Sequence, residues 1–132
     1  MSRLAKTKGR AIYPVIVVVG LLFGAASLWA HHGLARFTMT RTVKMEGPVT
    51  DFQWTNPHAF IHADLKDENG NVANWTLELG SLEMLSRFRW DANTVKRGDR
   101  VTAEGFPAKD GSPYMSLLNI DLPNGQTRRG NP

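Results

Sequence analysis

The chain has no cysteine among its 132 residues. That absence excludes disulfides, Cys-ligated zinc, iron–sulfur clusters, covalently attached c-type haem and thiol catalysis. It also excludes a lipid-modified cysteine as a membrane anchor. A domain of this size without disulfides must be held by its apolar core, which is feasible with little margin. Other chemical signatures are missing too. Gly80-Ser81-Leu82 lacks the Gly-x-Ser-x-Gly frame of a nucleophile elbow, and there is no glycine-rich phosphate loop. The acidic stretch at Asp67 has Gly70 in its fourth position, whereas a calcium loop needs glycine in the sixth. Carboxylates are scattered mostly through expected loops and solvent faces. An enzyme is therefore not the expected reading.

The formal net charge of +4 looks like a hint of nucleic-acid binding, but it comes from the first ten residues. Arg3, Lys6, Lys8 and Arg10 precede residue 31 and no acidic residue does. Removing those four of the sixteen basic residues leaves twelve, against twelve acidic ones. Residues 31–132 are formally neutral and imply no electrostatic funnel for phosphate.

What is present begins with a leader. Residues 1–10 are basic and polar, residues 11–30 are apolar, and small residues gather at Ala25-Ala26-Ser27 and Ala30. That order is the signature of a secretory signal. Two cleavage points compete. A cut after Ser27 uses the better small-x-small pair, whereas a cut after Ala30 leaves His31 as the new N-terminus. Left uncut, the twenty apolar residues would reach about 30 Å as a helix, enough to span a bilayer. Either way the basic residues stay inside and the domain faces out.

After a lead-in at 31–41, the punctuation is that of a small β protein. A long first strand is expected from Thr42 to Trp54. The inward parity of Val43 and Met45 changes to that of Phe52 and Trp54, and Gly47-Pro48 is the expected bulge between them. Asn56-Pro57 makes a turn. Ala59, Ile61, Ala63 and Leu65 then alternate with His58, Phe60, His62 and Asp64. A hairpin loop at Asp67 to Asn71 leads to a return strand with Ala73, Trp75, Leu77 and Leu79 inward. Ser81 is an expected helix cap before Leu82, Leu85 and Phe88. Two more strands, Val101–Phe106 and Tyr114–Leu122, follow turns at Gly98-Asp99 and Asp110-Gly111. This predicts a mostly β domain with one short helix, a five-stranded oligonucleotide/oligosaccharide-binding-like barrel over 42–123. Residues 124–132 read as a polar tail.

The unusual residues are the four histidines, His31, His32, His58 and His62. An N-terminal histidine can chelate a metal through its α-amine and imidazole, an arrangement suited to Cu(II). A cut after Ala30 makes His31 that residue, and a cut after Trp29 places His32 third, a different copper chelate. A solvated tail with two incidental histidines is the alternative. On a straight strand His58 and His62 are separated by about 13 Å, too far to share one ion. His58 alone could join the N-terminus as a third ligand, or it could simply fix the Asn56-Pro57 turn. His62 reads as a solvent-face residue. Trp75 and Phe88 read as core, and Phe60 as the exposed aromatic.

His31-His32-Gly33 after an Ala-ending signal, Trp54-Thr55-Asn56-Pro57-His58, Asn74-Trp75 and Glu78-Leu79-Gly80-Ser81 form one ordered set. Val101 to Gly105 followed by Ala108-Lys109-Asp110-Gly111-Ser112 forms another. Together they resemble the small exported bacterial proteins classed as domain of unknown function 6152. The resemblance implies a bacterial, periplasmic protein with this barrel and lends no catalytic residue. Against that pattern, Arg36 stands where relatives tend to be acidic, and Arg97 where proline is common.

Two functions are carried forward. One is an exported protein that binds copper through His31 and His32, with His58 as a third ligand. The other is a non-catalytic module docking a protein or envelope component through Phe60 or a sheet edge. Nucleic acid is expected to be neither's partner. Residues 31–132 should show no salt-dependent retention on single-stranded DNA, and binding that weakens as salt rises would overturn the argument from charge.

Overall fold

Alternation of side chains sets the strands. The computed structural model describes residues 33–132, so the leader and both His31 and His32 lie outside the described residues. Six strands and a helix follow in the order β1 (Val43–Gln53), β2 (Phe60–Lys66), β3 (Val72–Glu78), α1 (Leu82–Arg87), β4 (Arg100–Pro107), β5 (Tyr114–Asp121) and β6 (Thr127–Arg129). Residues 33–35 are helical and exposed. Among the described residues no helix is long and apolar enough to cross a membrane.

The sheet order is β3-β2-β1-β4-β5-β6, and β3 also pairs with β5 in parallel. That pairing closes five strands into the expected barrel, with β6 as an extra strand on β5. Ala59, Ile61, Ala63 and Leu65 are all fully buried, as their period of two requires. Leu77 of β3, Leu79 just after it, and Met115, Leu117 and Ile120 of β5 join them in the interior, with Val49 of β1 and Val101 of β4. Burying each of these larger side chains contributes about 1.5–3 kcal/mol.

β1 is long because it serves two neighbours, β4 from Val43 to Pro48 and β2 from Glu46 to Gln53. The change of parity lies between Val49 and Asp51, where the register with β2 shifts, and not at Gly47-Pro48. Gly47 and Pro48 stay in the ladder with β4, opposite Val101 and Arg100. Gly47 has another role. A Cβ there would fall on the Asp64 carbonyl oxygen of β2, so only glycine lets the two backbones approach.

The β2–β3 hairpin is held by Asp67, whose Oδ1 accepts from the backbone N–H of Asn69 and of Asn71, each at 2.9 Å. The Asn71 backbone contact is the main cause holding this carboxyl below its usual range. Gly70 follows at φ +84°, a conformation that glycine takes without steric cost. Ser81 caps α1 as expected, its Oγ accepting from Met84 N at 3.3 Å. Leu85 is buried, and Leu82, Met84 and Phe88 pack on the core. Ala73, expected inward, is exposed. The β3–β5 pairing begins only at Thr76, so the start of β3 overhangs the barrel.

Both ends of the domain are more structured than their polarity suggests. In the lead-in, Phe37 is buried and bridges Ala108, Thr38 N donates to Pro107 O at 2.8 Å, and Lys109 N donates to Arg36 O at 2.9 Å. The polar stretch 124–132 carries β6 and then a latch. Asn131 Nδ2 reaches Glu78 O at 2.9 Å, Leu117 O at 3.0 Å and Ser116 Oγ at 3.2 Å. Gly80 N donates to Gly130 O at 2.9 Å, and Trp90 Nε1 to Arg129 O at 2.8 Å.

Two substitutions test this account by urea unfolding. Gly47→Ala should cost about 3 kcal/mol or more, since backbone must move to admit one methyl group. Asn131→Ala should cost about 1–3 kcal/mol by leaving part-buried carbonyls without a donor.

Candidate functional site

His58, in the β1–β2 connection (residues 54–59), and Tyr114, the first residue of β5, both reach Glu78 at the end of β3. The β1–β2 connection is fixed locally. Thr55 Oγ1 donates to His58 O at 3.0 Å, and Asn56 Oδ1 accepts from Leu82 N at 3.0 Å. The Asn56–Pro57 peptide is cis. Those contacts hold the turn without the His58 imidazole, which points elsewhere.

His58 Nδ1 lies 2.7 Å from Glu78 Oε1. Nδ1 is shut off from solvent and the carboxylate sits off the line of a ring N–H, so this is a close polar contact rather than an aligned hydrogen bond. The ring as a whole is 44% exposed. Nε2 has no hydrogen-bond partner among the described residues and, unlike Nδ1, is not buried. Glu78 is only 13% exposed, and a carboxylate so covered needs donors. Its second oxygen receives one from the Tyr114 hydroxyl at 2.6 Å. That length is typical of a charge-assisted O–H···O⁻ bond.

Tyr114 is itself held from the lead-in. The Phe37 ring stacks on it at 5.8 Å and 26°, and the Arg36 guanidinium sits 4.4 Å from its ring centroid. Burial, the hydrogen bond to Glu78 and that carboxylate's charge raise the Tyr114 pKa well above its usual range, against a smaller lowering by Arg36. The phenol is thus a fixed donor throughout the physiological range. The chain from Arg36 through Tyr114 and Glu78 to His58 is continuous.

The outer face of β2 and β3 continues from this cluster. His62 Nδ1 is 3.2 Å from Thr76 Oγ1. Asn74 Nδ2 donates to Asp64 Oδ1 at 2.8 Å and to Thr50 Oγ1 at 3.1 Å. Phe60 stands opposite Gln53 and Glu78, half-buried. His58 and His62 have separate partners. Among the described residues no three or more His, Cys, Asp or Glu gather as a metal-binding group. Elsewhere, the β2–β3 hairpin and the start of β1 form an open cleft of about 410 Å³, lined by Arg41, Lys44, Asp67, Glu68 and Trp75 among others. It contains no histidine.

Of the site residues expected from sequence, His58 lies among the described residues, while His31 and His32 lie outside them. Sequence reasoning missed Glu78 and Tyr114 as its partners. The available signal was parity, because Leu77 and Leu79 point inward and Glu78 must therefore point out.

A family model described as a family of unknown function, DUF6152, matches residues 19–115. The chain belongs to this family. The DUF6152 match spans His31, His32, Arg36, His58, Glu78 and Tyr114, and it ends in β5, before β6 and the Asn131 latch. No curated protein and no solved structure matches the chain.

Proposed function

We propose that this DUF6152 protein is exported to the periplasm, is processed to begin at His31, and binds one Cu(II) ion. The α-amine and imidazole of His31, with His32, supply the nitrogen donors, and His58 supplies a third ligand from the barrel. The protein acts as a binding protein, with no reaction assigned to it.

One observation carries the reading. His58 Nδ1 lies 2.7 Å from the Glu78 carboxylate while Nε2 is left without a partner in the barrel, which approaches, without the aligned hydrogen bond, the carboxylate support commonly found behind a metal-ligating histidine. Chain connectivity adds support. Only residues 33–35 separate His32 from Arg36, and Arg36 and Phe37 are fastened beside Tyr114. The tether is at most about 14 Å even when fully extended. Copper is favoured over zinc by an all-nitrogen donor set and by the general divalent order.

A second reading rests on Phe60, a half-buried aromatic on the outer face of β2. There the domain would dock a protein or envelope component without a metal.

The test starts with the intact mass of protein recovered from the periplasm, which should match residues 31–132. A mass that retains residues 1–30, in the membrane fraction, would make the protein an anchored domain instead. Copper titration by calorimetry and electron paramagnetic resonance should then give one site whose affinity falls as pH drops, because the amine and imidazoles must be deprotonated. One extra residue before His31, or His31→Ala, should weaken binding while the barrel stays folded. His58→Ala should weaken it by about tenfold or more. Equal copper binding by the native and extended forms would rule out the N-terminal chelate and leave the docking reading in front.

A further inference from the structure

We infer that Glu78 and Tyr114 are positioning residues for His58: they keep the ring proton on Nδ1, so that Nε2 carries the lone pair. The inference deepens the copper reading, and rests on it for the use made of Nε2, but the proton placement has its own physical basis and its own readout.

A neutral imidazole has one protonated nitrogen and one lone pair. An unprotonated Nδ1 would set its partial negative charge 2.7 Å from the Glu78 carboxylate oxygen, at a nitrogen closed to solvent. Two electron-rich atoms at that distance in a covered setting repel each other strongly. A proton on Nδ1 turns the same contact into an attraction, even with the N–H off line. Nε2 is then the unprotonated nitrogen, the form a metal requires.

Tyr114 determines whether Glu78 can do this. Its hydroxyl occupies Oε2 at 2.6 Å, which leaves Oε1 for the imidazole. It also fixes the carboxylate's orientation, because the ring packs against the buried lead-in residue Phe37 and the Arg36 guanidinium. Arg36 and Phe37 thus act on His58 through two intervening side chains. His62 provides an internal comparison, since its Nδ1 faces a hydroxyl that can either donate or accept.

The experiment is long-range nitrogen–proton correlation spectroscopy on metal-free, fully processed protein, at a pH where the rings are neutral. Wild-type His58 should show the Nδ1–H pattern. Glu78→Ala should shift it toward Nε2–H, and Tyr114→Phe should produce a mixture, with His62 unchanged in both. Dispersed amide and core-methyl signals establish folding, and Tyr114→Phe, which deletes a single oxygen, serves if Glu78→Ala does not fold. An Nε2–H pattern in the wild type, or no shift in the variants, overturns the inference whatever copper does. With the expected tautomers, both variants should also lose about 10–100-fold in copper affinity. If the tautomers shift as stated while wild-type protein binds no copper, the positioning role stands and the copper reading falls.

Discussion

The parallel contact between β3 and β5 is only three residue pairs long, from Thr76–Tyr114 to Glu78–Ser116, and the barrel closes through it. Parallel pairing is slightly weaker per residue than antiparallel pairing, and so short a seam needs help from outside the ladder. Thr76 N extends it by donating to Pro113 O at 3.0 Å, and the Asn131 amide spans it from Glu78 O to Leu117 O. A polar C-terminal segment therefore works as a clasp on the weakest join of the sheet. Inside the seam Leu77 and Met115 meet in the core, while alternation turns Glu78 and Tyr114 outward beside each other. Closing the barrel and assembling the site are one event.

The lead-in adds rigidity where the seam alone would leave freedom. A half-exposed tyrosine at the start of a strand has two side-chain torsions to settle, and stacking on Phe37 and Arg36 restricts both. Phe37 is anchored by burial and by backbone contacts at Pro107 and Lys109, so the restriction comes from the barrel itself. Support of this kind keeps a donor atom within the narrow geometry a ligand site demands. Arg36 also makes sense in these terms. Its cation lies over the Tyr114 ring at 4.4 Å, a contact that an acidic side chain could not make.

The parts of the fold visible in the sequence are those written in local periods. Ala59 to Leu65 alternates strictly, Ser81 stands where a cap must, and Asp67 to Gly70 has the chemistry of a tight loop, so β2, α1 and the hairpin were all legible. The bulge was misplaced because Gly47-Pro48 looks like an interruption, whereas Gly47 is needed for a close approach to Asp64, seventeen positions away. Phe37 and Asn131 gave no signal for a similar reason. Each is surrounded by polar or irregular sequence, and its partner, Ala108 or Glu78, is set by topology alone. Of the candidate site, His58 stood out as a residue, but its link to Glu78 and Tyr114 requires the β3–β5 pairing, which no local pattern encodes.

The His58 contact is also where the structure departs from its own habits. Among the described residues, buried side-chain nitrogens without an aligned partner occur only at His58 Nδ1 and Arg128 Nε. A turn already held by Thr55 and Asn56 does not need that imidazole, and the core gains nothing from a ring left partly in solvent. Departures from local consistency tend to mark functional or strained sites, and His58 carries one of the two. Stability of the barrel rests on its interior, and the ends of β3 and β5 hold the polar cluster. The chemistry of the outer face can therefore be altered one atom at a time, as in Tyr114→Phe, without removing a residue on which the core depends.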